Sequence, residues 1–525
     1  MSESKSVAFV YPRLCIAYFL QFAIWGSWAG ALGGYAGRIL EMPGWQIGWL
    51  YAAIPLGAVI SPLFIGPIAD RYFAAQKVVS LLHFIGSLCL IACGILCVTN
   101  NQSFAVLMTL ILLSGVCFMP TIALVNSIVF KHSKEGSAPY VFVFGTIGWI
   151  VINLFIAAFL GGADQPYFFF AGGGAGLLLA FYSLTLPDTP PKGVPASGEQ
   201  RGFLSDALGL GALKLFKDFG FAFFVLCAFL ASIPACNFFF PFQETYLNQH
   251  GYPSPLALTT LNQFSELFFM SLLPLAILVI GLKWVLVLGI GAWSLRYFIF
   301  MVPSFEFAVI GLLLHGFCYS FLYVAAYMYA DKKAPADLKA SVQSLMAFLL
   351  LGVGQVLGSQ LYGYMRDLPQ NAPELTKTEE STLVLPQWND ITMVNSAWRY
   401  LDLGKTVTDF LNKEKIQENE SVSDLGSLLD TNKDNKISAA ELEAAETASG
   451  KLRIGNTEYS KTDLEKTFRK IAKKAEGDFE VARKDYLAVQ AYNWKGILKV
   501  PAIFIAVFFV LFLVFGKSPE KSPEK

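Results

Sequence analysis

The chain has 525 residues, 55% hydrophobic and 15% charged, and its 39 basic and 39 acidic side chains cancel to a net charge of zero. Soluble domains carry about 25% charged residues. The shortfall, together with 46 phenylalanines, points to an integral membrane protein, and the neutral total gives no electrostatic footprint for nucleic acid. More than half of the acidic residues lie between Arg366 and Lys495, a block of soluble character. All eight cysteines fall inside apolar runs, which reads as small apolar packing residues and not as a disulfide framework.

A helix crosses the hydrocarbon core with about 20 apolar residues. Stretches of that kind run over 13–35, 44–66, 78–98, 103–128, 141–162, 166–186, 219–241, 256–280, 282–303, 305–328, 338–364 and 496–516. The polar start, MSESKSVAFVYPR, leads into a run too long for a signal-peptide core, so the first span reads as an uncleaved anchor. Span one, YFLQFAIWGSWAGALGGY, sets Gln21, Trp25 and Trp28 roughly on one face, and Gly26, Gly30 and Gly34 lie four apart, a spacing that lets helices approach closely. After span two, GPIADRYFAAQK puts Asp70 and Arg71 in a loop. There they can exchange partners during a conformational change; an ordinary charged turn is the alternative. Span four carries Pro120 and Asn126, span five FGTIGW with Thr146 and Trp149, and span seven PACNFFF with Asn237.

Span eight, LTTLNQFSELFFMSLLPL, holds Asn262, Gln263 and Glu266. Gln263 and Glu266 are three apart and share a helix face. A charge at the bilayer centre costs at least about 2.5–3.5 kcal/mol, so it faces a cavity or a partner. Glu266 can accept hydrogen bonds from a polar substrate or carry a proton; the alternative is a carboxylate satisfied by Arg296 of span nine. Span ten has HGFCYSF, with His315 and Tyr319 one turn apart. The expectation is that these polar groups converge on one cavity.

Lys and Arg near the span ends set orientation. Arg71, Lys77, Lys131, Lys134, Lys214, Lys217, Lys283, Lys332, Lys333, Lys339 and Lys517 fall on one side, and the short loops of the other hold little beyond Arg38. Both termini are therefore expected in the cytoplasm of a multi-pass inner-membrane protein in contact with lipid. The expected plan is 1–186 for the first six spans, a cytoplasmic linker 187–218, spans seven to eleven over 219–365, an extracytoplasmic insertion 366–495, a last span 496–516 and a cytoplasmic tail 517–525. Within the insertion, DTNKDNKISAAE matches a twelve-residue EF-hand loop. Asp430, Asn432, Asp434, the Lys436 carbonyl, Ser438 and Glu441 would hold Ca2+, with Asn435 where Gly is usual. A polar turn of the same composition is the alternative.

Two six-span sets joined by a basic loop, with the Gly66–Lys77 motif, resemble the major facilitator superfamily. FLQFAIWGSW, ADRYFAAQKVVSLLHFIGS, CFMPTIALVNS, FGTIGWI, NQFSELFF and AWSLRYFIF closely resemble its bacterial nucleoside:proton symporters, from about Tyr18 to Tyr364 and again in the last span. The resemblance implies an all-α fold of twelve transmembrane helices in two six-helix bundles, here with a helical EF-hand-like insertion between helices 11 and 12. It implies a carrier that moves a nucleoside-like molecule with protons. No nucleophile–base set or metal cluster is visible in the spans, so an enzyme is not expected, nor a cofactor for transport, and a monomer is expected. It places Asn237, Gln263 and Glu266 at the ribose, Thr146 and Trp149 near the base, Tyr319 at another aromatic position, His315 at a Tyr position, and proton coupling on Glu266. Phe142, Pro234 and Ser320 stand where the resemblance expects Arg, Gln and Asp. An uncoupled facilitator, and a membrane sensor with an external calcium module, stay open at this stage.

Overall fold

The computed structural model describes residues 2–61, 73–134, 137–190, 209–235, 237–372, 452–454, 457–459 and 491–519, with side chains from Val10 onward except at Asp337 and in the two strands. The first half comprises α1 (Ser2–Ala29), α2 (Leu32–Arg38), α3 (Gly44–Ile60), α4 (Ala75–Val98), α5 (Phe104–His132), α6 (Ala138–Phe159) and α7 (Tyr167–Ser183). The second comprises α8 (Phe219–Ala235), α9 (Gln243–Gln249), α10 (Pro255–Thr259), α11 (Leu261–Phe300), α12 (Phe305–Tyr319), α13 (Ala325–Lys333), α14 (Lys339–Ala347), α15 (Gly354–Asp367) and α16 (Trp494–Phe515). π-Helical turns, Ser320–Val324 and Phe348–Val353, join α12 to α13 and α14 to α15.

Eight helical stretches among the described residues are long and apolar enough to cross a membrane, and Gly44–Ile60, Tyr167–Ser183 and Phe219–Ala235 are shorter apolar helices. Helix is what such a composition demands, because lipid offers backbone groups no partner. Large apolar side chains such as Leu278, Phe159 and Val279 stay exposed, as a lipid-facing surface requires. One stretch, Pro255–Phe300, runs 46 residues, about 69 Å at about 1.5 Å per residue against a core of about 30 Å. It is interrupted at Gly281, whose φ of 79° and ψ of 157° are non-helical and suit a residue without Cβ.

Where helices break at depth, tyrosine hydroxyls take up the freed backbone groups. The first span does not run as one helix over 13–35 but stops at Ala29 and resumes at Leu32. There the Tyr51 hydroxyl donates to Ala29 O (2.7 Å) and accepts from Gly33 N (2.9 Å). At the end of α8, Tyr297 donates towards Pro234 O (2.7 Å) and Ala235 O, and Tyr362 towards Pro234 O (3.2 Å).

The hydrogen bonds described between the halves fall at one end. Asp367, closing α15, caps the N-terminus of α3 through Gly44 N (2.5 Å) and Trp45 N (2.8 Å), replacing the local cap that Pro43 cannot supply. Arg366 Nη1 donates to Met42 O (3.3 Å). At Gly33 a Cβ would run into the Pro241 carbonyl, so glycine lets the backbones of the two halves meet there.

The chain divides into two compact units, one of Met1–Asn248, Pro253–Pro369 and Trp494–Lys525, the other of Gln249–Tyr252 and Gln370–Asn493. The sequence reading expected a helical insertion, but the second unit is not wholly helical. Strands β1 (Leu452–Ile454) and β2 (Thr457–Tyr459) pair antiparallel with Arg453 opposite Glu458, and Ile454, Thr457 and Tyr459 are residues that favour strands.

Candidate substrate site

The polar face of α11 is built by its packing on α12. Ser265 Oγ donates to Leu313 O and accepts from Gly316 N (3.0 Å). A Cβ at Gly316 would meet the Ser265–Glu266 peptide, so the backbones touch where His315 and Glu266 lie. Gln263 is buried and its Oε1 has no hydrogen-bond partner. His315 Nδ1 and Ser320 Oγ are in the same condition. Glu266 and Tyr319 are half-buried. The alternative partner for Glu266 is committed elsewhere: Arg296 donates to Gly311 O (2.7 Å), Asn262 Oδ1 (3.0 Å) and Gln243 Oε1 (3.3 Å). Among the described residues no ion pair joins Arg296 to Glu266.

Aromatic rings line the seam between the halves. Trp25 stacks on Phe240 (5.9 Å, 17°) and meets Trp149 edge-on (5.5 Å). Phe240 continues to Phe239 (4.6 Å), Phe239 to His315 (4.7 Å), and His315 to Tyr319 (6.2 Å). Trp25 and Phe240 are only half-buried, so part of each ring is open along the seam. The structure thus brings Trp149, His315 and Tyr319 into one aromatic run. Half-buried Thr146 lies one turn before Trp149 on α6. Asn237 is placed differently: its Nδ2 donates to Ile233 O (2.7 Å) and its amide lies against Gly358 of α15.

Gln21, left undecided by the sequence, is fully used inside the first half. It donates to Thr121 Oγ1 (2.8 Å) and its Oε1 accepts from His83 Nε2 (2.8 Å), which fixes the Nε2–H tautomer. Asn153 was missed. One turn beyond Trp149, its Nδ2 donates to Gly26 O (3.0 Å) and Trp149 O (2.9 Å), while its buried Oδ1 has no partner. Asn126 Oδ1 is likewise buried without a partner. Buried polar atoms normally find partners. A mostly apolar, aromatic lining with a few convergent polar groups is the general make-up of a small-molecule site.

At the end of the seam a charged cluster closes the halves together. Arg38 Nη1 and Nη2 hold Glu244 Oε2 and Oε1 (2.8 and 3.0 Å), and Nε and Nη2 hold Asp164 Oδ1 (3.1 and 2.8 Å). The sequence reading noted Arg38 alone; its partners are 206 and 126 residues away. Asp70, Arg71 and the loop residues Asp430, Asn432, Asp434, Lys436, Ser438 and Glu441 lie outside the described residues. Among the described residues no cluster of three or more His, Cys, Asp or Glu could hold a metal ion.

A helical body with a polar and aromatic seam between two halves defines a membrane carrier, and the sequence comparisons name which class. The family profile described as Nucleoside H+ symporter matches residues 9–384, and the chain belongs to that family of multi-pass membrane transporters. It is 38% identical over 371 residues to YegT of Escherichia coli (strain K12), a protein provisionally named a nucleoside transporter, covering 68% of this chain and 84% of the relative. It is 29% identical over 376 residues to the xanthosine permease of the same organism, covering 68% and 87%. Among solved structures the nucleoside transporter NupG superimposes with a TM-score of 0.61 at 25% identity, over 68% of this chain and 91% of that one.

Proposed function

We propose that this protein carries nucleosides across the cytoplasmic membrane by alternating access, coupled to protons through Glu266. The observation that carries the reading is Gln263: a buried amide oxygen without a partner, on the same face of α11 as a half-buried carboxylate. A ribose hydroxyl can donate to Gln263 Oε1 and to Glu266, while the base packs against half-buried Trp25, which buried Trp149 supports edge-on. Twelve crossings follow if the 46-residue stretch is counted on both sides of Gly281 and the three shorter apolar helices also span. The positive-inside pattern then puts the Arg38–Glu244 end outside, so the described state is closed to the exterior.

In this reading substrate moves the equilibrium only through its different affinity for the two states, and the halves rock about a site near the midplane. Neutralising Glu266 together with substrate binding permits the inward transition. Phe142, in ring contact with Tyr18 (4.9 Å) and Phe130 (5.6 Å), supplies no base-side donor, so the site grips the sugar more firmly than the base. An uncoupled facilitator is the second reading, favoured by Ser320, which supplies no second carboxylate. Nothing outside its own sequence supports the calcium loop at 430–441, and it carries no part of this proposal.

Counterflow in proteoliposomes tests the reading. Labelled uridine or adenosine should exchange against internal unlabelled nucleoside, with free ribose competing better than free base. Absence of exchange with every nucleoside would reject it.

A further inference from the structure

Arg296 is fully enclosed, five residues before the Met301 that follows α11. A guanidinium at that depth is costly unless its donors are bound, and the landing points of those donors form a pattern. Nε bonds Gly311 O on α12 (2.7 Å); Nη2 bonds Asn262 Oδ1 on the first arm of α11 (3.0 Å) and Gln243 Oε1 on α9 (3.3 Å). Its Cζ lies 5.3 Å from the centroid of the Trp293 ring and 5.1 Å from that of Phe300, and these cation–π contacts hold the fork in one orientation.

Each landing residue neighbours a residue that the transport mechanism uses. Gln243 precedes Glu244, which grips Arg38 across the halves. Asn262 precedes Gln263 and stands one turn before Glu266. Gly311 is one turn before His315, whose ring packs edge-on to Trp293 (5.6 Å). We propose that Arg296 is the positioning residue that ties the outer ion pair to the substrate-binding face of α11. Withdrawal of Glu244 from Arg38 shifts α9 and its Gln243, and the rigid fork passes the shift to Asn262 and so to Gln263. The claim rests on the substrate site proposed above. It requires the planar, multiply donating guanidinium, which a lysine ammonium does not reproduce.

The test compares wild type, Arg296→Lys and Arg296→Gln as full chains in lipid nanodiscs. Hydrogen exchange is followed in peptides covering 243–249 and 259–266, with 75–98 in the first half as reference, and binding of labelled uridine and adenosine is measured alongside. Both variants should exchange at least tenfold faster in the two linked segments with the reference unchanged, and should bind nucleoside at least tenfold more weakly. Unchanged exchange, or an equal rise in the reference, would overturn the proposal. So would Arg296→Lys binding like wild type, because charge alone would then suffice. If wild type bound no nucleoside, the transport reading would fail by itself, and the exchange pattern would still decide whether Arg296 links the segments.

Discussion

Arg38 and Glu244 form a two-pronged ion pair between the halves, at 2.8 and 3.0 Å, and the Glu244 side chain is only 4% exposed whereas Asp164, on the same guanidinium, is 57% exposed. Arg38 and Asp164 both belong to the first half, so separation of the halves breaks the buried bond and keeps the exposed one. In the proposed cycle Arg38 would therefore keep a counter-ion throughout, and Glu244 alone would be released.

The two carboxylates should therefore differ when neutralised. Glu244→Gln removes charge-assisted bonds of about 1.5–3 kcal/mol from the closed state, while Asp164→Asn removes an exposed pair of about 0–1 kcal/mol. In a Thr259→Cys reporter, whose site lies beside Gly30 in the seam, Glu244→Gln should raise labelling by an impermeant maleimide about tenfold. Asp164→Asn should leave it within about twofold. Equal effects would contradict this division.

Asp367 is the second fastening of the same end. Its carboxylate caps α3 from another helix, so Asp367→Ala removes both a cap and a favourable charge at a helix N-terminus, about 0.5–2 kcal/mol. The variant should melt earlier in detergent and also label faster at Thr259→Cys. A lower melting point with unchanged labelling would make the contact structural only.

The aromatic seam should set affinity more than rate. Base–aromatic stacking contributes about 1–3 kcal/mol per ring in alanine substitutions, so Trp25→Ala should weaken nucleoside binding by about tenfold or more. Asn153→Ala should do less, because Asn153 Nδ2 serves the backbone of α1 and α6. Equilibrium binding to purified protein decides the order.

Several candidate-site residues were conspicuous in the chain because lipid makes polar groups stand out. Gln263, Glu266 and His315 stand out in apolar runs, and the break between spans eight and nine coincides with Gly281. The Arg38 cluster was hidden because Arg38, the loop residue Asp164 and Glu244 are far apart in the chain and near span ends, where charge is ordinary. Phe239 and Phe240 were hidden for the opposite reason: phenylalanine in a span reads equally as lipid-facing or as seam. Asn237 shows a further limit, since its side chain is used locally, donating to Ile233 O and lying against Gly358, which residue type and spacing do not reveal. The end of α8 at Ala235 could not be located without the tyrosines that bond its last carbonyls.

The central claim is that Glu266 exchanges a proton within the substrate site. Glu266→Gln keeps a hydrogen-bonding side chain of the same shape and removes the titratable group. Proteoliposomes containing this variant should still exchange labelled nucleoside in counterflow but should not accumulate it under an inward proton gradient. Gradient-driven accumulation equal to wild type would contradict the account.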